Sequence, residues 1–485
     1  MNKNFININY VKNLDLIWMI FKRIFIIKFS PWINIVRFHP QIIKEYDDNF
    51  QYENKKYKNF NYKRILNYIF ENPKINFIKI KKKKIDILII SHLINKENYN
   101  IADDFYFKNL QKIFEKKGLS SLIILRNITQ INSKLLINKK NMSFNNNKIL
   151  LPLRSPLLFE LYYICNVLFY IIYISFFGFK IKDKKIKKIF YNIIKFKILK
   201  KSISNLRLYY QFNTILKYYK PETVITTFEG HAWERVIYNI CNKKNIKTIG
   251  YQFSILIKNQ FSIFKDFGFH SNPRAIYTSS KINQKIIKNN LKYKIKELGL
   301  LGYNSQSREI KKNNFSRKNN IFLLIPEGIN SETFLFYKLA IKLLTLRTDI
   351  KIIFRCHSQL SFEKFISENN LKYKFNSNLI ISHESLENDI AKSKYCIYRG
   401  TSAIIKAVSS GCIPIYFNAK QNININPLFH VEDKINTIDV PEDLNLLYLS
   451  NGLKLDKKVF NFSKDYFAEF NAEKLINYIK NDKHI

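Results

Sequence analysis

Two carboxylates and an imidazole stand close together in the run Thr227-Phe228-Glu229-Gly230-His231-Ala232-Trp233-Glu234-Arg235. The apolar stretch Thr223–Phe228 before them predicts a strand, and His231–Cys241 predicts a helix. A strand-to-helix turn in an α/β protein opens into the crevice outside the carboxyl edge of the sheet, where ligands bind. Group transfer to a hydroxyl needs a carboxylate or imidazole there, either to take the proton or to attack the transferred group. Glu229, on the turn, is the first candidate. His231 and Glu234 complete the set, with Glu234 inside the helix and expected to orient a neighbour or to pair with Arg235. Acidic residues at a helix start also complement the helix dipole whatever the protein does.

Two further runs have the chemistry of phosphate binding. Arg355-Cys356-His357-Ser358 ends the strand that begins at Lys351, and Arg and His at a strand's carboxyl end can contact phosphate oxygens. In Tyr398-Arg399-Gly400-Thr401-Ser402-Ala403 the glycine permits close backbone approach. Thr401 and Ser402 start a helix whose free N–H groups can hold a phosphate, although capping alone also selects those residues. Glu327, just past the strand Ile321–Ile325, joins this second group and is also a reserve candidate for the catalytic carboxylate.

The elements that must carry these runs have an α/β rhythm. Strands are expected at Lys84–Ser91, Ser121–Arg126, Thr223–Phe228, Lys247–Gln252 and Ala275–Thr278, with helices at Asp104–Lys117 and His231–Cys241. Tyr303–Asn320 is polar and basic and reads as a linker. A second series follows, with strands at Ile321–Ile325, Lys351–Arg355, Tyr395–Tyr398 and Ile413–Phe417. Helices are expected at 331–346, 361–369, 384–392 and 401–410. A last helix, about 463–480, is expected to cross back onto the first domain. The expected organisation is an N-terminal helical region (1–80), a first Rossmann-like domain (81–302) with a helical insertion at about 150–210, a linker (303–320) and a second Rossmann-like domain (321–485).

Length agrees with two cores, since 485 residues exceed one ordinary domain. The net charge is +44, from 81 Lys and Arg against 37 Asp and Glu. Lys, Asn, Ile and Tyr are abundant throughout and Gly and Pro number only 11 each, so nucleotide bias accounts for much of that charge. The remainder favours an acidic partner such as lipid headgroups or a nucleotide sugar. Aromatic and basic residues are not grouped as an RNA-binding motif, and no nucleic-acid partner is expected. Five scattered cysteines read as reduced thiols in a cytoplasmic protein, with neither disulfides nor a zinc site. Nothing at the N-terminus reads as a signal peptide.

Leu161–Phe179 has no charged residue and is long enough for a transmembrane helix. The strands on either side of it are expected in one sheet, however, which a single crossing would forbid. Ile181–Ile203 sets Ile186, Ile189, Phe190, Ile193 and Ile194 against many lysines, the profile of a helix lying in a membrane interface. A buried helical hairpin with a solvated lysine face is the competing expectation. The first places the protein on the inner face of the cytoplasmic membrane.

Together, Arg-x-His, the Gly-Thr-Ser helix start and Gly-Cys-Ile-Pro-Ile-Tyr-Phe (411–417) resemble the nucleotide-binding half of GT-B enzymes acting on surface glycans. The run at 227–235, with Gly250-Tyr251-Gln252-Phe253-Ser254, is similar to a pattern in bacterial surface carbohydrate biosynthesis proteins. The segment at 103–118 also looks like that family's early acidic-aromatic segment. The resemblance implies two Rossmann-like domains facing a cleft and a metal-independent glycosyltransferase without cofactor. It implies a nucleotide-sugar donor held by Arg355, His357, Gly400, Thr401 and Ser402, and a glycan or lipid-linked acceptor. Ser358 stands where the family has proline, and Lys406 where many members have a ribose-binding glutamate. The alternatives are a CDP-polyol phosphotransferase on the same fold and a non-catalytic membrane-binding protein.

Overall fold

The structure is a computed structural model. It describes residues 68, 70–75, 84–94, 97–101, 103–129, 131–133, 147–179, 182, 187, 199–258, 262–266, 268, 270–303, 318–328, 330–357, 360–371, 377–419, 424–450 and 452–481. Nearly all of the expected N-terminal helical region, and most of the lysine-rich segment 181–203 and of the linker, lie outside these residues.

Two parallel sheets organise the chain. The first contains β1 (Lys84–Leu93), β2 (Ser121–Asn127), β3 (Lys148–Leu150), β4 (Lys220–Thr227), β5 (Lys247–Gln252), β6 (Ala275–Thr278) and β7 (Glu297–Leu300), in the order β3-β2-β1-β4-β5-β6-β7. The second contains β8 (Lys318–Ile325), β9 (Lys351–Phe354), β10 (Leu379–Ile381), β11 (Ser393–Tyr398), β12 (Ile413–Phe417) and β13 (Asn436–Ile438), in the order β10-β9-β8-β11-β12-β13. Each sheet grows in one direction from its first strand and then turns back at its fourth. That reversal leaves a crevice outside the carboxyl ends of the two central strands. The expected fold class, two Rossmann-like α/β domains, is the one found.

The longer α-helices among the described residues are α1 (Leu110–Lys116), α2 (Leu157–Gly178), α3 (Leu199–Tyr218), α4 (Ala232–Lys243), α5 (Lys281–Asn290), α6 (Asn330–Leu346), α7 (Phe362–Glu368), α8 (Leu386–Lys392), α9 (Ala403–Ser409), α10 (Pro441–Leu449), α11 (Lys457–Lys464) and α12 (Glu473–Asn481). Period-two alternation gives each sheet two buried faces. In the first, Ile87, Ile89, Ile123 and Leu125 join one core, while Leu88, Ile90, Leu122 and Ile124 join the other with Trp233, Val236 and Ile237 of α4. In the second, Phe322 and Leu324 face one core and Ile321, Leu323 and Ile325 the other.

Three expectations about elements need correction. The helix expected over Asp104–Lys117 begins only at Leu110. Asp104 Oδ1 accepts from the N–H groups of Tyr106 (2.8 Å) and Phe107 (2.9 Å) and from Ser91 Oγ (2.9 Å), so its side chain holds a turn where a helix would otherwise start. The single C-terminal helix is two helices, α11 and α12, separated by residues 465–472. Strands β3, β7, β10 and β13 were not expected at all; each has only three or four residues and too little alternation to register.

The uncharged segment forms α2. Its inner side packs on α3 through Tyr163 and Val167, and Arg207 of α3 pairs with Glu160 at 2.8 Å. Its outer side exposes Leu158 (82%), Phe169 (73%), Ile172 (59%) and Phe176 (64%). Strand β1, before α2, pairs directly with β4, after it. Among the described residues no helix is long and apolar enough to cross a membrane.

Candidate functional site

Charged groups from three strand ends meet at the switch point of the first sheet. Strand β4 ends at Thr227, and the chain turns through Phe228, Glu229 and Gly230 into α4. Gly230 has φ +81°, and a Cβ there would lie 2.2 Å from Ser262 Oγ, so the turn requires glycine. Glu234 closes the turn. Its fully buried carboxylate accepts from the N–H of Glu229 (3.1 Å to each oxygen) and of His231 (2.7 Å), a capping-box arrangement at the N-terminus of α4. Glu229 is left to face His231, with Oε2 at 3.1 Å from Nε2, and both side chains keep some exposure.

Arg235 of α4 reaches across to the residues that follow β5. It is fully buried, donates to Ser262 O (2.6 Å), Ser271 O (3.4 Å) and Asn272 Oδ1, and lies 5.1 Å from the Phe228 ring. Its role is to fasten Ser262, Ser271 and Asn272 to α4.

The same crevice contains His92 and Arg126, which sequence reasoning missed. They are the last residues but one of β1 and β2 and are direct register partners. Their parity continues that of Leu88, Ile90, Leu122 and Ile124, so both lie on the α4 face. The Arg126 guanidinium lies over the Trp233 ring at 4.2 Å, and the His92 ring meets the same indole edge-on at 4.9 Å. Burial pulls Arg126 down to about 9, opposed by the Glu234 charge, so the guanidinium remains charged at neutral pH. Burial, then the Arg126 and His231 charges, push His92 well below the ordinary imidazole value, against the pull of Glu229. His92 is neutral at pH 7. The available signal was a polar residue closing each of two otherwise apolar runs, Ile-Ile-Ser-His-Leu (89–93) and Ile-Leu-Arg-Asn (124–127).

In the second sheet, residues from β8, β9 and β11 converge at the equivalent switch point. Glu327 follows β8 and sits beneath Gly400, which follows β11; a Cβ on Gly400 would lie 1.6 Å from Glu327 Oε1. The ring of His357, beyond β9, lies against Gly328. Burial, then the charge of Arg355, lower the His357 pKa. Arg355 turns toward the N-terminus of α8. It donates to Asp389 Oδ2 (2.7 Å), Glu384 O (2.6 Å) and Ser382 Oγ (3.4 Å). Arg399 forms a buried ion pair with Glu332 of α6. Ser402 is exposed and caps α9, seven residues long, without a side-chain bond, whereas Thr401 Oγ1 accepts from Ala403 N–H at 3.4 Å. Lys406 pairs with Glu387 of α8. Among the described residues no three of His, Cys, Asp and Glu are grouped as a metal site requires.

No family model matches the chain, and no curated protein matches it. Solved structures resemble it at low identity. The glycotransferase of kitacinnamycin is 9% identical with a TM-score of 0.46, covering 82% of this chain and 99% of its own. The S. aureus MnaA–UDP co-structure is 12% identical with a TM-score of 0.46, covering 82% and 96%. MurG of Acinetobacter baumannii is 8% identical with a TM-score of 0.44, covering 82% and 99%. Likeness at this level leaves activity to be argued from the site.

Proposed function

We propose that this chain is a GT-B-type glycosyltransferase, moving a sugar from a nucleotide-sugar donor on the second domain to an acceptor on the first. One observation carries the reading: each of two doubly wound sheets gathers charged and ligand-competent residues at its own switch point. A two-substrate transfer needs a donor crevice and an acceptor crevice, and such folds offer them there. Glu327, His357, Gly400 and Thr401 suit the donor phosphates and ribose, while Glu229 with His231 suits deprotonation of a hydroxyl or attack on the sugar. Arg355, bound to Asp389 and the Glu384 carbonyl, supports the loop beneath that donor crevice.

The acceptor in this reading is a glycan or a lipid-linked sugar in bacterial surface polysaccharide assembly. The apolar outer side of α2 supports it, because an exposed patch of this kind marks a protein or membrane interface. The enzyme would then work on the cytoplasmic leaflet without spanning it.

Melting temperatures measured with CMP, CDP, UDP, GDP and their sugars test the reading, since a ligand that binds the native state must stabilise it. One nucleotide should raise the transition, and Ser402→Asp should abolish that rise by setting a negative charge against the phosphate. Stabilisation only by CDP-polyols would make the enzyme a polyol phosphotransferase. No response to any nucleotide, or an undiminished one in folded Ser402→Asp, would overturn the donor site.

A further inference from the structure

We infer that the crevice of the first sheet holds an oxyanion, a phosphate or carboxylate of the second substrate, with Arg126 as its principal ligand. The Arg126 side chain makes no hydrogen bond or ion pair with another described residue, and its guanidinium stacks on the Trp233 face. An arginine carries N–H donors around its whole edge, and stacking on an indole occupies only its flat face. The donors are therefore presented edge-on at the carboxyl end of the sheet. Such a half-buried cation is costly to leave without an acceptor, and a bidentate oxyanion satisfies it best.

A second, independent observation points the same way. His92 Nδ1 is sealed from solvent and has no hydrogen-bond partner among the described residues. Buried imidazole nitrogens are ordinarily bonded. His92 is the register neighbour of Arg126 on the same face, so its unmet hydrogen bond lies beside the unpaired guanidinium edge. Glu234 supplies negative charge near Arg126, while its carboxylate accepts from the backbone N–H groups of Glu229 and His231. The Glu229–His231 pair stands on the opposite flank of the crevice, at the end of β4.

An oxyanion at Arg126 would anchor the acceptor beside that pair, leaving its hydroxyl to face Glu229 or His231. As a statement about the acceptor this rests on the transferase reading; oxyanion binding itself does not. A phosphate would belong to a phosphate-linked lipid or sugar, and a carboxylate to an acidic sugar.

Calorimetric and melting titrations of the full chain with inorganic phosphate and with acetate, against chloride at equal ionic strength, provide the test. At least one oxyanion should bind saturably and raise the melting temperature. Arg126→Gln should remove the response while melting no lower than the parent without ligand, because a neutral amide relieves an unpaired cation. Arg126→Lys keeps the charge but not the fork, and its affinity should fall on the order of tenfold. Arg126→Gln should keep the parental response to nucleotide, which separates this crevice from the nucleotide site. A response to phosphate alone assigns a phosphate ligand, and a response to acetate as well assigns a carboxylate. The inference fails if neither oxyanion differs from chloride, or if Arg126→Gln responds like the parent. It also fails if Arg126→Gln loses stability without ligand, since Arg126 would then be a structural cation.

Discussion

At the residue scale, Glu229 and Glu234 differ in what already occupies them. Glu234 is fully buried and spends its oxygens on three backbone contacts, so Glu234→Gln removes half of a capping arrangement. The expected cost is about 1–2 kcal/mol of stability, seen as a lower melting temperature with most turnover retained. Glu229 turns its carboxylate to His231, and under the transferase reading Glu229→Gln should fold normally, bind donor and lose turnover by about a hundredfold or more. Parental turnover in Glu229→Gln would move the search to His231 or Glu327. The two glutamates were legible as candidates because reactive types crowd one strand–helix junction. Their division of labour was not, because it depends on which backbone N–H groups the turn leaves open. His92 and Arg126 were less legible still. They lie far apart in the chain, and only the β1–β2 register brings them together.

The histidines give this scale a pH dependence. Burial lowers the pKa of His92, His357 and His430 in the folded chain, so each takes up its proton more readily when unfolded. Their contribution to stability is complete above the ordinary imidazole pKa and is lost as pH falls below it. Each contributes a slope of at most about 1.4 kcal/mol per pH unit in that window. Melting temperature should therefore drop between pH 7 and pH 5, and less steeply in His92→Asn. An unchanged slope in that variant would mean that His92 takes up its proton in the fold as readily as in the unfolded chain.

At the element scale, α2 has two sides with different partners. Tyr163 and Val167 are buried against the body of the first domain, whereas Leu158, Phe169, Ile172 and Phe176 face outward. Burying one such side chain in a lipid interface is worth about 1.5–3 kcal/mol, so Phe169→Glu with Ile172→Glu should weaken binding to anionic vesicles at least tenfold. The melting temperature should stay within a few degrees, because neither side chain is part of a core. Equal vesicle binding by parent and variant would remove α2 from any membrane surface. The segment was legible from its lack of charge. Its orientation was not, because an all-apolar helix has little amphipathic period to read and only the packing on α3 chooses the inner side. The same limit hid the three-residue strands β3, β10 and β13, whose register depends on the longer strands beside them.

At the scale of the whole molecule, the chain crosses between the domains twice, and the second crossing makes the first fold dependent on the last residues. After α11 the segment 465–472 runs back along Ser279 and Leu301. Ala468 N–H donates to Ser279 O (3.0 Å) and Asn471 N–H to Leu301 O (2.8 Å). Tyr466 OH donates to Asn283 Oδ1 (2.8 Å), and Asn283 Nδ2 donates on to Gln252 Oε1 (2.7 Å) at the end of β5. Helix α12 then buries Leu475, Ile476 and Ile479 in the same core as Ile87, Ile89 and Ile123. In return, the loop after β5 sends Ile255 into the core that contains Ile404, Leu428 and Tyr466. A return of the last helix was foreseeable from its apolar spacing, but its break at 465–472 was not, because the break follows from the span it must cover. Two domains joined in this way should unfold together. Leu475→Ala removes a buried side chain at the far end of the chain and should cost about 2–4 kcal/mol, lowering one common transition in calorimetry. Deletion from residue 472 onward should expose β1–β7 to proteolysis while β8–β13 stay protected longer, since the deleted core residues Ala472, Leu475, Ile476 and Ile479 belong to the first domain. Two separate transitions in the parent chain, or a first domain that keeps its protection in the truncated one, would show that the returning segment only decorates a domain already stable without it.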